Sequence, residues 1–333
     1  MARAWHLKSR PVAMPGPENF ELKELPDTPL AQGQFRVRNA WLSVDPYMRG
    51  RMSDVKSYVP PFAIDAPMQG GAVGTVIDSA NGDFPVGAQV MHMAGWRDEA
   101  VVGPELMPQK LPEIGVPMHH WLGNLGLTGA TAYFGLLKVA EAREGDVVFV
   151  SAAAGAVGSA VVQIARNKGM TVIGSAGGPE KCAWVRELGA AACIDYKAGP
   201  VLPQLAEAAK AHGKGGIDVY FDNVGGEHLD AACALARDFA RFAMCGMIDV
   251  YNDGKPQEMR YLIRLVSARI RMQGFIFTDY LAHMGEFQAD MGEWVRTGRM
   301  QSRETIHDGL ESMPDAFLGL FQGANTGKML VRL

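Results

Sequence analysis

Residues 147 to 168 read VVFVSAAAGAVGSAVVQIARNK. Val147 to Val150 form a short, wholly apolar run, as expected of a strand buried on both faces. Val157, Val161 and Ile164 then recur on one face of a helix. A strand that feeds straight into a helix restricts the chain to layered α/β topologies, because the helix must carry the chain back to a neighbouring parallel strand. The pattern continues through MTVIGSA, a helix from Pro179 to Leu188, ACIDY, a helix near 201 to 211, IDVYFDNV, a further helix, ARFAMCG and RIRMQGFIF. Strands alternating with helices over about 150 residues predict a doubly wound parallel sheet.

The flanking sequence has a different texture. From 1 to 122, short apolar runs alternate with Gly, Pro, Asn and Asp, as in FRVRNAWLSVD, GGAVGTVIDSANGDFPVGAQVMHMAG and EAVVGPELMPQKL. This is the rhythm of a β-rich domain, with turn signals at Asn81-Gly82 and Pro85-Val86-Gly87 on either side of Phe84. Near 123 the spacing becomes helical, through Ala130, Tyr133, Phe134 and Leu137. After a helix of about 280 to 297, the tail again has a strand at each end. The chain therefore reads as α/β in two domains, a β-rich one from 1–122 and 298–333 and a doubly wound one from 123–297.

Bulk properties exclude several classes. A net charge of −4 with interspersed signs argues against nucleic acid or an anionic membrane as partner. The start, MARAWHLKSRPVAMPGP, lacks an apolar leader core, and no run reaches the ~18 apolar residues of a membrane span, so a cytoplasmic location is expected. Cys182, Cys193, Cys233 and Cys245 show no C-x-x-C pair; they predict buried thiols, with no metal site and no disulfide framework.

Against the dinucleotide pattern G-x-G-x-x-G, the loop reads Ala153-Ala154-Gly155-Ala156-Val157-Gly158. Gly155 would let a pyrophosphate approach the backbone, and Gly158 would let helix and strand pack closely. Ala153 stands at the tight-turn glycine, a replacement open to a small residue whose φ stays negative. The same pattern also occurs at strand–helix junctions that bind nothing; the βα series around it is what gives it weight. About 20 residues further on, where an NAD site carries an acid, this chain has GSAGGPEKC. Lys181 lies there, and Tyr196 follows the third strand, so a 2′-phosphate and NADP(H) are expected. The fourth and fifth strands end in FDNVGGE and CGMIDVYN, which places Asp222, Asn223 and Gly246 at ligand-bearing edges.

Taken together, SVDPYMRGRMSD, LTGATAYFGLL, AAAGAVGSAVVQIA, FDNVGGE, CGMIDVYN, RIRMQGFI and GANTGKMLV resemble the medium-chain dehydrogenase/reductase superfamily. The similarity is to its zinc-free branch of leukotriene hydroxydehydrogenase/prostaglandin reductases, plant double-bond reductases and bacterial curcumin reductases. It implies a GroES-like β-rich domain beside a Rossmann domain, NADPH as cofactor, and reduction of the carbon–carbon double bond of α,β-unsaturated ketones and aldehydes. By motif, the implied cofactor contacts are Ala153, Ala154, Gly155, Ala156, Lys181, Tyr196, Asn223, Cys245, Gly246, Met247, Ile248, Tyr251, Phe275, Ile276, Phe277 and Asn325. Where zinc-dependent members carry Gly-His-Glu, residues 68 to 74 read MQGGAVG and offer no imidazole. Thr128 stands in a segment that often holds proline in this family, which bears on substrate size.

Without a metal, hydride placement and hydrogen-bond donors must carry the reaction. Tyr251 resembles the active-site tyrosine, and Tyr47, Met118 and Tyr280 are candidate pocket walls. Tyr251 and Lys255 also spell Y-x-x-x-K, but NDGKP is a turn sequence and does not place the two one helical turn apart. A small-molecule enone substrate and a homodimer joined near Arg269 to Phe277 are expected. The alternatives are a carbonyl or alcohol oxidoreductase on this scaffold and an NADPH-binding protein without turnover.

Overall fold

The computed structural model describes residues 1–252 and 256–333, so the Y-x-x-x-K reading, which requires Lys255, lies outside the described residues. The chain divides into two compact units, Met1–Leu122 with Glu304–Leu333, and Gly123–Arg303.

In the first unit, β1 (Arg3–Leu7) pairs antiparallel with β2 (Phe20–Glu24). β3 (Phe35–Ser43) is followed by a short helix, α1 (Tyr47–Arg51), then β4 (Ala72–Ser79), β5 (Gln89–His92), β6 (Glu99–Val102) and β7 (Gln109–Lys110). The turn signals around Phe84 have a packing role: its ring stacks on Phe35 at 4.5 Å and 12°, closing a small core with Val37, Val76 and Val90.

The second unit opens with α2 (Leu127–Phe134) and runs β8 (Val147–Val150), α3 (Ala156–Asn167), β9 (Thr171–Ala176), α4 (Pro179–Glu187), β10 (Ala192–Asp195), α5 (Val201–His212), β11 (Ile217–Asp222), α6 (Gly226–Leu235), β12 (Ala236–Met244), α7 (Arg264–Ser267), β13 (Arg271–Gly274) and α8 (Met284–Arg296). Its strands, all parallel, lie in the order β10-β9-β8-β11-β12-β13. The order reverses between β8 and β11, the switch point at which such sheets bind ligands. Phe149, Ile173, Tyr220 and Phe242 point to one core with Leu205, Leu229 and Ala232 from the covering helices. Two elements depart from expectation. The helix expected from 280 begins as a 3-10 segment, Phe277–His283, kinked at Tyr280, before α8 proper. β12 starts at Ala236, directly after α6, and passes through Phe239 at φ +64°.

The tail, β14 (Glu304–Asp308), α9 (Met313–Phe321) and β15 (Lys328–Arg332), returns to the first unit's sheet, ordered β14-β15-β3-β4-β5-β7 with β6 on β3. The return falls at Glu304 rather than 298, because residues 299–303 are held in the second unit. Gln163 of α3 exchanges two hydrogen bonds with the Gln301 backbone (2.7 and 3.0 Å), and Asn124 donates to Gln301 O and Ser302 Oγ. Lys328 of β15 is 4% exposed and donates to Asp45 Oδ1 at 2.7 Å and Val44 O at 2.9 Å. SVDPYMR and GKMLV, far apart in sequence, are thus joined by a buried ion pair.

Candidate active site

The phosphate loop forms where the sequence places it, with one correction. The residue in left-handed conformation is Ala152, at φ +47°; Ala153 keeps negative φ and is buried. The strained turn therefore lies one position earlier, and the Ala153 methyl packs toward Gly174, where an added Cβ would stand 2.9 Å from it. Ala154 is buried too, and Gly155 ends the loop at φ −84° as the N-cap of α3, with no side chain capping the helix. The N–H groups of Ala156, Val157 and Gly158 precede the first helical bond, Ser159 N–H to Gly155 O at 2.9 Å, and so are the ones offered to an anion. A Cβ on Gly158 would fall 2.2 Å from the Ala152 carbonyl, so close packing of loop and helix requires glycine there; at Gly155 the nearest atom would be 3.2 Å away, which leaves that face to a ligand.

At the exits of β9 and β10, no carboxylate ends the second strand. Asp195, at the end of the third, accepts N–H bonds from Gly178 and Lys197 through Oδ1, at 2.8 and 2.9 Å, and so shapes the turn. Tyr196 is 39% exposed, and its hydroxyl abuts Gly177, where a Cβ would lie 2.6 Å from it and 3.0 Å from Lys197 Cε. Burial, and next the Lys197 charge, lower the Lys181 ammonium. Two ammonium groups that repel each other beside a phenol suit a phosphate dianion, which would relieve the repulsion. Lys197 escaped the sequence reading; its only signal was adjacency to Tyr196.

At the switch point, Asp222 is fully buried and accepts from the Tyr220 hydroxyl (2.7 Å) and the Val224 and Gly225 N–H groups (2.9 and 2.8 Å). It therefore shapes the turn after β11 rather than facing a ligand, which corrects the sequence expectation. Burial raises its carboxyl. Asn223 acts locally as well, because its N–H donates to Ser151 Oγ (2.9 Å) and its Nδ2 to Ser151 O (2.7 Å), tying the exit of β11 to the start of the phosphate loop. Cys245 and Gly246 hang from the Asp222 carbonyl, and burial pushes the Cys245 thiol up to about 12, so it stays protonated. Ile248 opens the 3-10 turn Ile248–Val250, which folds Tyr251 back so that Met247 N–H donates to its hydroxyl at 3.3 Å. Burial raises the Tyr251 phenol, which leaves it a neutral donor.

Phe275 crosses Phe221 edge-on at 6.1 Å, Ile276 caps the following 3-10 segment, Phe277 begins it, and Tyr280 stacks on Phe134 at 5.6 Å. In the first unit, Tyr47 opens α1 with a buried hydroxyl that makes no well-aligned hydrogen bond. Met118 packs with Val73, Leu111 and Leu122, and Asn325 Nδ2 donates to Gly327 O at 2.8 Å. Within residues 68 to 74, Gln69 accepts from Arg51 through its amide oxygen at 2.8 Å. One group of potential metal ligands does occur among the described residues: His119, His120 and Glu304. Burial lowers both imidazoles, His120 adding to the effect on His119, and burial alone raises Glu304.

A parallel sheet with a glycine-bearing loop at its switch point, and two lysines near the exit of its second strand, is the framework of a nucleotide-binding unit. Residues 3–109 match the family described as the N-terminal domain of oxidoreductase, and residues 156–296 the one described as zinc-binding dehydrogenase. The chain is 42% identical to the NADPH-dependent curcumin reductase of Escherichia coli (strain K12), over 99% of this chain and 96% of that one. It is 36% identical to the 2-alkenal reductase (NADP(+)-dependent) of Nicotiana tabacum, over 98% and 95%. The crystal structure of CurA in complex with NADPH from Vibrio vulnificus superimposes with a TM-score of 0.92 at 45% identity, covering 99% of this chain and 98% of that one. The chain belongs to the zinc-free branch of the medium-chain dehydrogenase/reductase family that contains the curcumin and prostaglandin reductases.

Proposed function

We propose that the protein reduces the carbon–carbon double bond of α,β-unsaturated ketones and aldehydes at the expense of NADPH. The observation that carries the reading is the meeting of the Tyr196 hydroxyl and the Lys197 side chain at Gly177, with Lys181 in the first turn of α4, at the exit of a strand with no carboxylate, which supports a 2′-phosphate and disfavours NADH. The names of the Escherichia coli and Nicotiana tabacum relatives, a curcumin reductase and a 2-alkenal reductase, support the same cofactor and substrate class.

NADPH, when bound, supplies the hydride. The uncapped first turn of α3 would hold the pyrophosphate, and Gly155 would keep the backbone clear for it. Asn223 fixes the loop through Ser151. Tyr251, neutral at physiological pH, donates to the substrate oxygen on which negative charge develops as the β-carbon is reduced. Cys245 to Ile248, Phe275 to Phe277 and Asn325 are proposed as further cofactor contacts, and Tyr47, Met118 and Tyr280 as substrate walls. A homodimer is proposed along β13, an edge strand, with exposed Ile263 and Val266 nearby. A cytoplasmic location is proposed as well; among the described residues no helix is long and apolar enough to cross a membrane.

The test is consumption of NADPH and of NADH with enones of graded size. NADPH should be preferred by at least about tenfold in kcat/KM, the worth of one charge-assisted contact. Equal use of both, or no consumption with any enone, contradicts the proposal.

A further inference from the structure

The first unit holds a donor set that enone reduction does not use. His119 and His120 lie in the 3-10 turn Met118–Leu122, and Glu304 opens β14. One nitrogen from each imidazole and one carboxylate oxygen lie within 4.8 Å of one another, all partly buried. His120 Nδ1 is sealed from solvent and bonded to nothing among the described residues. The His119 ring is held between Trp41 and His120, with both centroids at 4.8 Å.

We propose that His119, His120 and Glu304 bind a divalent transition-metal ion of the zinc type. Two imidazoles and one carboxylate are a donor set for zinc, cobalt, nickel or copper, whereas magnesium and calcium favour all-oxygen sites. Tetrahedral zinc with bonds of about 2.0–2.1 Å sets its ligands roughly 3.4 Å apart, so the widest pair must close by at most about 1.4 Å on binding. Rotation of three partly exposed side chains covers that distance. Three protein ligands leave one position for water or another small donor. The site differs from the Gly-His-Glu position of zinc-dependent relatives, which here lies in residues 68 to 74 and offers no imidazole. Because Glu304 follows the long excursion into the second unit while the histidines precede it, the ion would staple together the two separate segments that build the first unit.

The test uses the full chain, stripped with a chelator and titrated with zinc chloride against a chromophoric zinc indicator. About one equivalent should bind, and a His119→Ala/His120→Ala double variant should weaken that binding by roughly a hundredfold, with Glu304→Gln weakening it by about tenfold. Copper(II) chloride should quench the fluorescence of Trp41, whose ring meets His119, and of Trp121, which follows His120 in the same turn, and the His119→Ala/His120→Ala variant should lose most of that quenching. His283→Ala, which removes the exposed imidazole paired with Glu286, should change neither. Circular dichroism and NADPH binding establish that each variant is folded, and Glu304→Gln decides the matter should the double variant not fold. Failure of the wild-type chain to bind zinc stoichiometrically, or equal affinity in wild type and Glu304→Gln, overturns the proposal.

Discussion

Two adjacent alanines in the phosphate loop should respond to glycine in opposite directions. Ala152 sits at φ +47°, where an L-residue costs about 1–2 kcal/mol. Glycine removes that strain but adds unfolded-state freedom worth about 0.5–1 kcal/mol, so Ala152→Gly should stabilise the protein by roughly 0.5–1 kcal/mol. Ala153 is fully buried at negative φ. Ala153→Gly loses a buried methyl, worth about 0.8 kcal/mol, and gains the same unfolded-state freedom, for a cost of about 1.5 kcal/mol. With a urea dependence of about 2.5 kcal/mol per molar, the midpoints should move by about +0.3 M and −0.6 M. Urea unfolding followed by circular dichroism measures both. A lower midpoint for Ala152→Gly, or an unchanged one for Ala153→Gly, would refute the placement of the strain.

Further outcomes follow from the other sites. Lys197→Ala should weaken NADPH binding by about 10- to 100-fold, the worth of a charge-assisted contact, and leave NADH binding unchanged by calorimetry. Tyr251→Phe should lower kcat about a hundredfold with NADPH affinity retained, as expected for loss of one donor to a developing oxyanion, checked by steady-state kinetics. Lys328→Ala leaves the Asp45 carboxylate buried without its cation, though still accepting from the Ser43 hydroxyl, and should destabilise the protein by about 3 kcal/mol in denaturant titration. Burial holds the His228 imidazole down to about 4, against 6.5 when exposed. Below pH 6.5 the unfolded chain therefore takes up a proton that the native state refuses, and stability should fall by up to about 3 kcal/mol between pH 6.5 and 4. His228→Gln should remove that share of the slope and leave the share of His92, whose imidazole burial holds down to about 3, in melts across the same range.

The sheet of the second unit was legible because its two central strands carry compact apolar runs, VVFV in β8 and VYF in β11, and because strand-like and helical stretches alternate along the chain. The loop was legible from Gly155 and Gly158, whereas the strained position was not, since Ala152 and Ala153 are the same residue and only the path of the chain tells them apart. Lys197 was hidden because its significance depends on Lys181 in another element. Phe239 shows the opposite difficulty: an exposed aromatic at positive φ lies within a strand whose first residues, Ala236 to Asp238, carry no apolar run to mark its start. Asp222 looked like a ligand contact from its place at a strand end, but the turn after β11 presents two N–H groups that need an acceptor, and the carboxylate serves those instead. The His119–His120–Glu304 group unites residues from distant parts of the chain, which no local spacing reveals.

The most direct test of the central claim is to follow the hydride. NADPH deuterated at the transferred C4 position is incubated with the protein and a simple enone, and the product is analysed by mass spectrometry and NMR. The predicted product is a saturated ketone with deuterium on the former β-carbon. An allylic alcohol with deuterium on the carbinol carbon, or unchanged enone, would contradict it.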